Sequence, residues 1–295
     1  MGVLEGPEMK TVLGVGMLVI ILAASISNMT PANAWGPNTH IIITKKSLEA
    51  AKDSIIKSQI EQYPEAFYAG VVFPDVSVLY YYTQFESYKS THNWLFYRRL
   101  LEEAGTVEEK AFAYGVACHL IQDTVAHNEY VPIKIQGTLG SNLYTHPLVE
   151  ASVEARYFDL TTSGSLEPVE RFLPLAQRAL GRDVSGMTYM FRGILRAGSF
   201  YEDAYAVPNV PLWDLYSAGA GIAQGLYGTQ DAEAHLTQAE ALTVKFFEAG
   251  ETPLRDPTGI DALTGAGRTS DAVRFSLTFG VALVVGFILV RRRRG

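Results

Sequence analysis

The chain has 295 residues, of which 48% are apolar and 19% are charged, and its formal net charge is −7. This length and composition suit one globular domain with a sizeable core and require no second domain. Residues 1–34 contribute −1 and the four terminal arginines contribute +4, so the body between them carries −10. An acidic body lacks the basic surface for gripping long polyanions, and we therefore expect no binding to duplex nucleic acid.

The first residues are typical of an export signal. Lys10 precedes an apolar run over 12–24, and a small-x-small pattern ends at Ala34. Cleavage after Ala34 would make Trp35 the first residue. The apolar run is short for a membrane span, which disfavours an uncleaved anchor helix. We predict a signal peptide over 1–34.

In the body of the chain, apolar residues recur at three- and four-residue spacing, which is typical of amphipathic helices. Two such series are Ile41, Leu48, Ala51 and Ile55, and then Ala111, Tyr114, Cys118, Ile121 and Val125. Further segments end at a glycine, a frequent helix stop, and indicate helices over 168–180, 184–196 and 231–249. The pattern predicts an all-α fold, a single helical bundle over 35–250.

The composition changes after residue 250. Residues 251–272 are rich in Thr, Gly, Pro and Asp, which predicts an exposed stalk. An apolar run from Phe275 to Val290 follows and is closed by four arginines, a stop-transfer pattern with the basic cluster in the cytoplasm. It predicts a transmembrane anchor over 273–295 that holds the body on the extracytoplasmic face of the cell membrane. A sorting tail removed after export is the alternative.

The chain contains a single cysteine, Cys118. It can form no intrachain disulfide, and a thiolate zinc cluster of the finger type is excluded. We expect Cys118 to be a small buried apolar residue on a helix.

Histidines and carboxylates recur at one-turn spacing in the first half of the chain. His119, Asp123 and His127 are four residues apart, so a helix would place them in one polar ridge. His146 and Glu150 are likewise a histidine and a carboxylate four residues apart. Each piece alone is more often a surface contact or a packed residue, but five of the six histidines fall in this half. Because imidazole and carboxylate are the ligands that zinc accepts without thiolates, the joint pattern favours a metal site.

Several motifs, taken in order, resemble the zinc-dependent phospholipase C superfamily, which also contains the single-strand-specific zinc nucleases. They are W-G-P-N-T-H from Trp35 to His40, F-P-D ending at Asp75, T-H-N-W around His92, His119-x3-Asp123-x3-His127, and His146-x3-Glu150. The similarity spans residues 35–150, and residues 151–250 agree only in being helical.

The resemblance implies a site for three zinc ions. The ligands of the first zinc would be Asp75, His92, His119 and Asp123. The ligands of the second would be His127, His146 and Glu150. The third zinc would be held by His40 with the α-amino group and carbonyl oxygen of Trp35, and Asp123 would bridge it to the first. The gap between Asp123 and His127 is shorter than in the best-known secreted members, which leaves the position of the second zinc open.

Such a site implies hydrolysis of phosphate diesters. Zinc acidifies a water molecule to a pKa near 7 and stabilises the phosphoryl oxygens. Asp75 would orient or deprotonate that water, since a carboxylate can bind metal through one oxygen and accept a proton through the other. A role as ligand alone is the alternative for Asp75.

We expect a monomeric, phospholipase C-like enzyme that acts on a phospholipid beside its membrane anchor. A nuclease or nucleotidase is the second hypothesis, because the W-G-x3-H opening resembles that branch of the superfamily equally. A zinc-stabilised module without catalysis is the third; the complete ligand set argues against it, but a sequence alone does not reveal whether a coordination position is open.

Aromatic residues near the motifs allow two interpretations. Tyr80, Tyr81 and Tyr82, and likewise Trp94 and Phe96, could line a pocket for a choline-like head group or stack a base. Core packing of a tyrosine-rich loop is the favoured account. His235 has no ligand-type partner at suitable spacing and is given no role.

Overall fold

The structure is a computed structural model, and it describes residues 35–83, 91–136, 149–157, 167–184, 221 and 223–259. The expected signal peptide over 1–34, His146 and the apolar run over 275–290 lie outside these residues and stay predictions. So does nearly all of the helix expected over 184–196. None of the helices that the structure describes is both long enough and apolar enough to cross a membrane.

All regular elements in the described ranges are helical, with no strand among them, which confirms the all-α class. The α-helices are α1 (Pro37–Ala50), α2 (Ile55–Gln62), α3 (Pro64–Thr83), α4 (Trp94–Glu103), α5 (Val107–Val125), α6 (Val131–Gln136), α7 (Leu173–Leu180) and α8 (Ala232–Ala249). Residues 149–154, 221 and 223–227 are also α-helical. A π-helical turn (Ala126–Tyr130) joins α5 to α6, and 3₁₀ turns cover Ala155–Tyr157 and Glu167–Phe172.

Several helix ends follow local sequence signals. Thr106 and Glu109 form a capping box at the start of α5, which supplies partners for N–H groups that a first helical turn leaves unpaired. Gly181 and Gly250 adopt left-handed backbone angles, with φ of 66° and 72°, and end α7 and α8 as predicted.

The helical pattern that joined Ile41 to Ile55 is wrong at its end. Helix α1 stops at Ala50, and Ser54 caps a new helix whose first residue is Ile55. The side chain of Ile55 is 78% exposed. Four non-helical residues separate the two helices. Helical spacing counted across them therefore does not place residues on the same face of one helix.

Helices α3 and α5 form the central packed pair of the bundle. They cross at Gly70 and Gly115, where the two backbones are in direct contact. A Cβ on Gly70 would overlap the carbonyl oxygen of Phe112, and a Cβ on Gly115 would overlap that of Phe67. Only glycine permits this approach, and it brings side chains one turn further along α5 against the backbone of α3.

Buried apolar side chains form two clusters that follow one another along α5. Cys118, Leu120 and Ile121 belong to the first, and Val125 and Ala126 belong to the second. Cys118 is fully buried and burial raises the pKa of its thiol, so the expected role as a small apolar residue is confirmed. The polar residues of α5 lie where one cluster gives way to the other.

Candidate metal centre

Five side chains with ligand-type atoms converge inside the bundle, and we call them the five-residue cluster. They are His40 of α1, Asp75 of α3, His92 just before α4, and His119 and Asp123 of α5. The side chain of Asp75 is 12% exposed and those of His40, His92, His119 and Asp123 are fully buried. The structure therefore brings together side chains that the sequence spreads over 84 positions.

Asp123 lies at the centre of the five-residue cluster. Its Oδ1 is 3.4 Å from Nε2 of His40, and its Oδ2 is 3.2 Å from Nε2 of His119. Oδ2 is also 3.7 Å from Nε2 of His92. Oδ1 of Asp75 lies 3.7 Å from Nε2 of both His92 and His119. The ligand atoms form two groups, each within 4.8 Å, which are His40 with His119 and Asp123, and Asp75 with His92 and His119. His119 is common to both groups, and Oδ2 of Asp123 also faces His92 of the second group.

The crossing of α3 and α5 orients His119. Gly115 lies one turn before His119, and Gly70 directly precedes Val71. The close backbone approach lets Nδ1 of His119 donate to the carbonyl oxygen of Val71 at 2.9 Å. Since a carbonyl can only accept, the ring proton is on Nδ1, and Nε2 directs a lone pair into the cluster.

Gln122 orients His40 in the same way. Nδ1 of His40 donates to Oε1 of Gln122 at 2.7 Å, and Nε2 of Gln122 donates to Oγ1 of Thr44 at 2.8 Å. Thr44 lies one turn after His40 on α1, so the amide of Gln122 links α5 to two successive turns of α1. Nε2 of His40, like that of His119, therefore carries a lone pair, and it faces Asp123.

Two hydroxyl groups fix the ring of His92. Oγ of Ser77 donates to the carbonyl oxygen of Pro74 at 2.7 Å, so its proton is not available to Thr91. Oγ1 of Thr91 must then donate to Ser77 over 2.8 Å and accept from Nδ1 of His92 over 3.3 Å. The proton of the His92 ring is on Nδ1, and Nε2 of His92 also carries a lone pair.

The interior of the cluster thus contains lone pairs facing one another. Nε2 of His92 and Nε2 of His119 lie 3.3 Å apart. Burial lowers the pKa of His40 and of His119 to about 4, so both rings are neutral at pH 7. Within the described residues, neither oxygen of Asp123 has a hydrogen-bond partner, and the side chains within 4 Å of them in the ion-pair geometry are the rings of His40, His92 and His119. Buried acceptors in this arrangement repel unless a cation lies between them.

The donor set fits zinc. Imidazole nitrogen and carboxylate oxygen are ligands of this ion, and a zinc-binding histidine normally donates its other ring N–H to a neighbouring acceptor. All three rings of the cluster have such an acceptor. Burial raises the pKa of Asp123 to about 6, which shows how costly its negative charge is in the absence of a cation.

A second group adjoins the cluster, and we call it the His127–Glu150 pair. Nε2 of His127 is 3.5 Å from Oε1 of Glu150, and both side chains are buried. His127 lies in the π-helical turn, where the helix widens beyond α5. Burial, then the charges of Asp75 and Asp123, raise the pKa of Glu150. Because the charges of both aspartates act on the pKa of Glu150, the His127–Glu150 pair lies close to the five-residue cluster.

The proposed ligand His127 is anchored by a distant segment. Its Nδ1 donates to the carbonyl oxygen of Pro257 at 2.5 Å, and residues 257–259 are buried. An exposed stalk beginning at residue 251 is therefore wrong for residues 257–259. The composition of this segment resembles a linker, but its carbonyl oxygens satisfy side-chain donors of the bundle.

The opening residues of the bundle are also buried. The ring of Trp35 is fully buried, 6.3 Å from that of Tyr130. The carbonyl oxygen of Gly36 accepts from the backbone N–H of His40 at 3.1 Å. Gly36 therefore lies one helical turn before His40, and Trp35 directly precedes Gly36. The proposed role of its α-amino group stays a prediction.

Glu154 binds the first turn of α1, a role that the sequence analysis did not predict. Its buried carboxylate accepts from the backbone N–H groups of Asn38 and Thr39 and from the hydroxyl of Thr39. It thereby satisfies unpaired donors at the start of α1 from outside the helix. Glu154 lies one turn after Glu150, so helical spacing could have indicated that it shares a face with that residue.

Other residues beside the rings left no comparable signal in the sequence. Gln122 precedes Asp123 and could have been singled out as a polar residue inside an apolar helix. The hydroxyls of Thr91 and Ser77 and the carbonyl of Pro257 belong to common residue types with no fixed spacing to a histidine. Only the fold reveals that they face the rings.

The aromatic residues near the motifs differ in their structural settings. Phe96 is a core residue, whereas Trp94 is partly exposed and donates from Nε1 to the carbonyl oxygen of Arg255 at 2.7 Å. Residues 80–82 are part of helix α3, so the loop expected for these tyrosines is wrong. His235 lies on α8 with its ring 5.5 Å from Tyr130, and its Nδ1 contacts its own helix turn at the carbonyl of Asp231.

Comparison with known proteins gives one family and one distant relative. Residues 39–180 match the sequence model of the family described as zinc dependent phospholipase C. An uncharacterized protein of Archaeoglobus fulgidus is 30% identical over 113 residues, which cover 37% of this chain and 30% of that protein. The chain thus spans less than a third of the length of this relative. No solved structure matches the chain.

Proposed function

Because residues 39–180 belong to the zinc-dependent phospholipase C family, we propose that this chain is a zinc-dependent phosphodiester hydrolase of the phospholipase C type. The observation that carries the proposal is the five-residue cluster. Its ring nitrogens are aimed inward as lone pairs, its acids are buried without lysine or arginine partners among the described residues, and its donors are those that zinc prefers.

We assign three zinc ions to the centre. One would be held by Asp75, His92, His119 and Asp123. A second would be held by His127, Glu150 and His146. The third would be held by His40 and the terminal amine and carbonyl of Trp35, with Asp123 shared between this ion and the first. The opposite faces of the Asp123 carboxylate, which are directed at His40 and at His119, support the sharing.

When bound, zinc supplies a nucleophilic water at neutral pH and positive charge for the phosphoryl oxygens. Asp75 is the residue of the five that solvent reaches, and its Oδ1 faces His92 and His119. Burial tends to raise the pKa of Asp75, but the neighbouring histidines, His119 foremost, outweigh it and hold the pKa below its usual value. Asp75 is therefore an ionised carboxylate at neutral pH and suits the role of proton acceptor.

The substrate class that we propose is the phospholipid head group. The family description supports it, as does the sequence-based expectation of a membrane anchor on the extracytoplasmic side. We propose that the body acts as a monomer beside the bilayer. A nuclease of the same superfamily shares the metal chemistry, so the two are separated by substrate and not by metal content.

The test compares turnover of a choline phosphodiester lipid with that of single-stranded nucleic acid by the same zinc-loaded preparation. We expect hydrolysis of the lipid and no comparable cleavage of the nucleic acid. Asp75→Asn should lower turnover by orders of magnitude with the helical content unchanged, because it removes the proton acceptor. His235→Ala is the matched control, since His235 lies outside the centre, and should keep full turnover. Preferential cleavage of nucleic acid would favour the nuclease hypothesis, and equal losses in both variants would contradict the role of Asp75.

A further inference from the structure

The segment after α8 folds back on the centre as a tight turn, residues 255–259, which we call the carboxy-terminal turn. Three successive carbonyl groups of this turn accept from side chains of the bundle. Arg255 accepts from Nε1 of Trp94, and Asp256 from Nδ2 of Asn128 at 2.8 Å. The carbonyl of Pro257 accepts from Nδ1 of His127. The three donors lie beside or within the candidate metal centre.

The turn is stabilised by its own side chains. Asp256 accepts from the backbone N–H of Thr258 through Oδ1 at 3.0 Å and from the hydroxyl of Thr258 through Oδ2 at 2.6 Å. The backbone N–H of Gly259 donates to the carbonyl oxygen of Asp256 at 3.3 Å and closes the loop. These bonds hold the Pro257 carbonyl at a fixed angle, because both residues on either side of it are constrained.

Gly259 lets the turn approach His127. It has φ of +57°, a left-handed conformation that disfavours other residues. A Cβ at this position would lie 2.5 Å from the Cβ and 2.5 Å from the carbonyl oxygen of His127. Both the backbone angle and the space therefore require glycine where the turn meets the ligand residue.

We propose that the carboxy-terminal turn is a positioning element for His127, which fixes the ring through the Pro257 carbonyl so that Nε2 faces Glu150. This inference rests on the proposed function, since it gives the ring orientation a purpose in metal binding. His127 lies in a π-helical turn, and its contacts to Pro257 and Glu150 come from outside that turn. The second zinc site is thus completed by residues that follow the last described helix.

The experiment measures zinc affinity of the full-length chain by competition with a chromophoric chelator, together with zinc content. Gly259→Ala should lower the affinity for one zinc ion about 10- to 100-fold, which is the loss typical when a ligand histidine loses its hydrogen-bond partner. Gly181→Ala is the matched control. Gly181 has φ of +66° and open space around its Cβ, so the variant carries the same backbone strain without touching the centre. It should bind zinc like the wild type.

Thr258→Val provides a second variant if Gly259→Ala does not fold. It keeps the branched shape and removes the hydroxyl bond to Asp256, so we expect a smaller loss of affinity for the same zinc ion. Thr243→Val is its control, because Thr243 makes a comparable buried hydroxyl bond to Ala239 within α8. A readout independent of zinc is the side-chain NMR signal of His127 in metal-free protein, which should show a proton fixed on Nδ1 in the wild type and the two controls but not in the turn variants.

Unchanged zinc affinity in both turn variants would overturn the inference, as would equal losses in the variants and their controls. If the wild type itself bound no zinc, the proposed function would fail and the inference with it. A wild type that binds zinc beside unaffected turn variants would overturn the inference alone.

Discussion

The two parts of the candidate metal centre are held in place by different means. In the five-residue cluster the rings are anchored by the helices themselves, through the backbone of α3 and the amide of Gln122 on α5. In the His127–Glu150 pair the ring is anchored by Pro257, 130 residues further along the chain. The first part is therefore built by the packing of the bundle, whereas the second depends on a peripheral segment that folds back.

This difference has a consequence for stability as well as for chemistry. The helix crossing at Gly70 and Gly115 is central to the core, so the anchor of His119 can be lost only with the packing of α3 on α5. The carboxy-terminal turn lies outside this crossing, with residues 255 and 256 exposed and residues 257–259 buried, so it can be altered while the crossing stays intact. The two parts should accordingly lose zinc independently, and the following variants test that expectation.

The largest effect is expected for Asp123→Asn. Both carboxylate oxygens face ring nitrogens, and an amide would present an N–H group and no charge. We expect the loss of two of three zinc ions and a fall in turnover of more than about 100-fold, beyond the loss typical of a residue that only supports a ligand. Elemental analysis and a phosphodiesterase assay measure both. A variant that loses all its zinc would show that the two parts of the centre are not independent.

A comparable effect is expected from an extension before Trp35. A terminal amine, with a pKa of about 8, readily gives up a proton to zinc, whereas the lone pair of a peptide nitrogen is delocalised. Protein with an added Met before Trp35 should lose the third zinc and most of its activity while the bundle still folds. The comparison is with protein that begins at Trp35. Equal zinc content and rate in both would mean that Trp35 is only a packed aromatic residue.

A smaller effect is expected for Gln122→Leu. The change leaves Nδ1 of His40 without its acceptor and frees the ring to turn, so zinc affinity at His40 should fall about 10- to 100-fold. Gln122→Glu keeps an acceptor oxygen and should lose less. Chelator competition on both variants would decide. A larger loss for the glutamate variant would contradict the hydrogen-bond direction deduced for His40.

The smallest effect on zinc is expected from the helix crossing, where stability is the main readout. Gly115→Ala places a methyl group against the backbone of α3 and should lower the free energy of unfolding by about 1–3 kcal/mol. Gly225→Ala, also in a helix but with open space around the Cβ, should raise it by about 0.4–1 kcal/mol. Urea unfolding of the zinc-loaded proteins measures both. Equal stability of the two variants would show that the crossing is not as close as the structure has it.

The sequence was informative where chemistry follows helical spacing. His119 and Asp123 were predicted on one face of a helix, and the helix α5 places both in the same buried site. The helix stops at Gly181 and Gly250 were equally readable, because left-handed glycine is a local signal. These features depend on residues only a few positions apart.

Features that depend on contacts between segments far apart in the chain could not be predicted from the sequence. The contact between Gly70 and Gly115 has no signature in either helix alone, and Ile55 looked apolar and buried until α1 was seen to end before it. The role of Pro257 is carried by a backbone carbonyl, which every residue has, in a segment whose composition predicts a linker. Glu154 is the exception, since its one-turn spacing from Glu150 is a local feature of the sequence.

Zinc binding by the convergent lone pairs of the five-residue cluster and the His127–Glu150 pair is the premise of the proposed function. The most direct measurement is the metal content of the full-length protein after loading with zinc and removal of excess metal by dialysis. We expect close to three zinc ions per chain, and a melting temperature that falls when a chelator removes them, because the ligands come from separate segments of the chain. A content of one zinc ion or less, with no change in melting temperature on chelation, would contradict it.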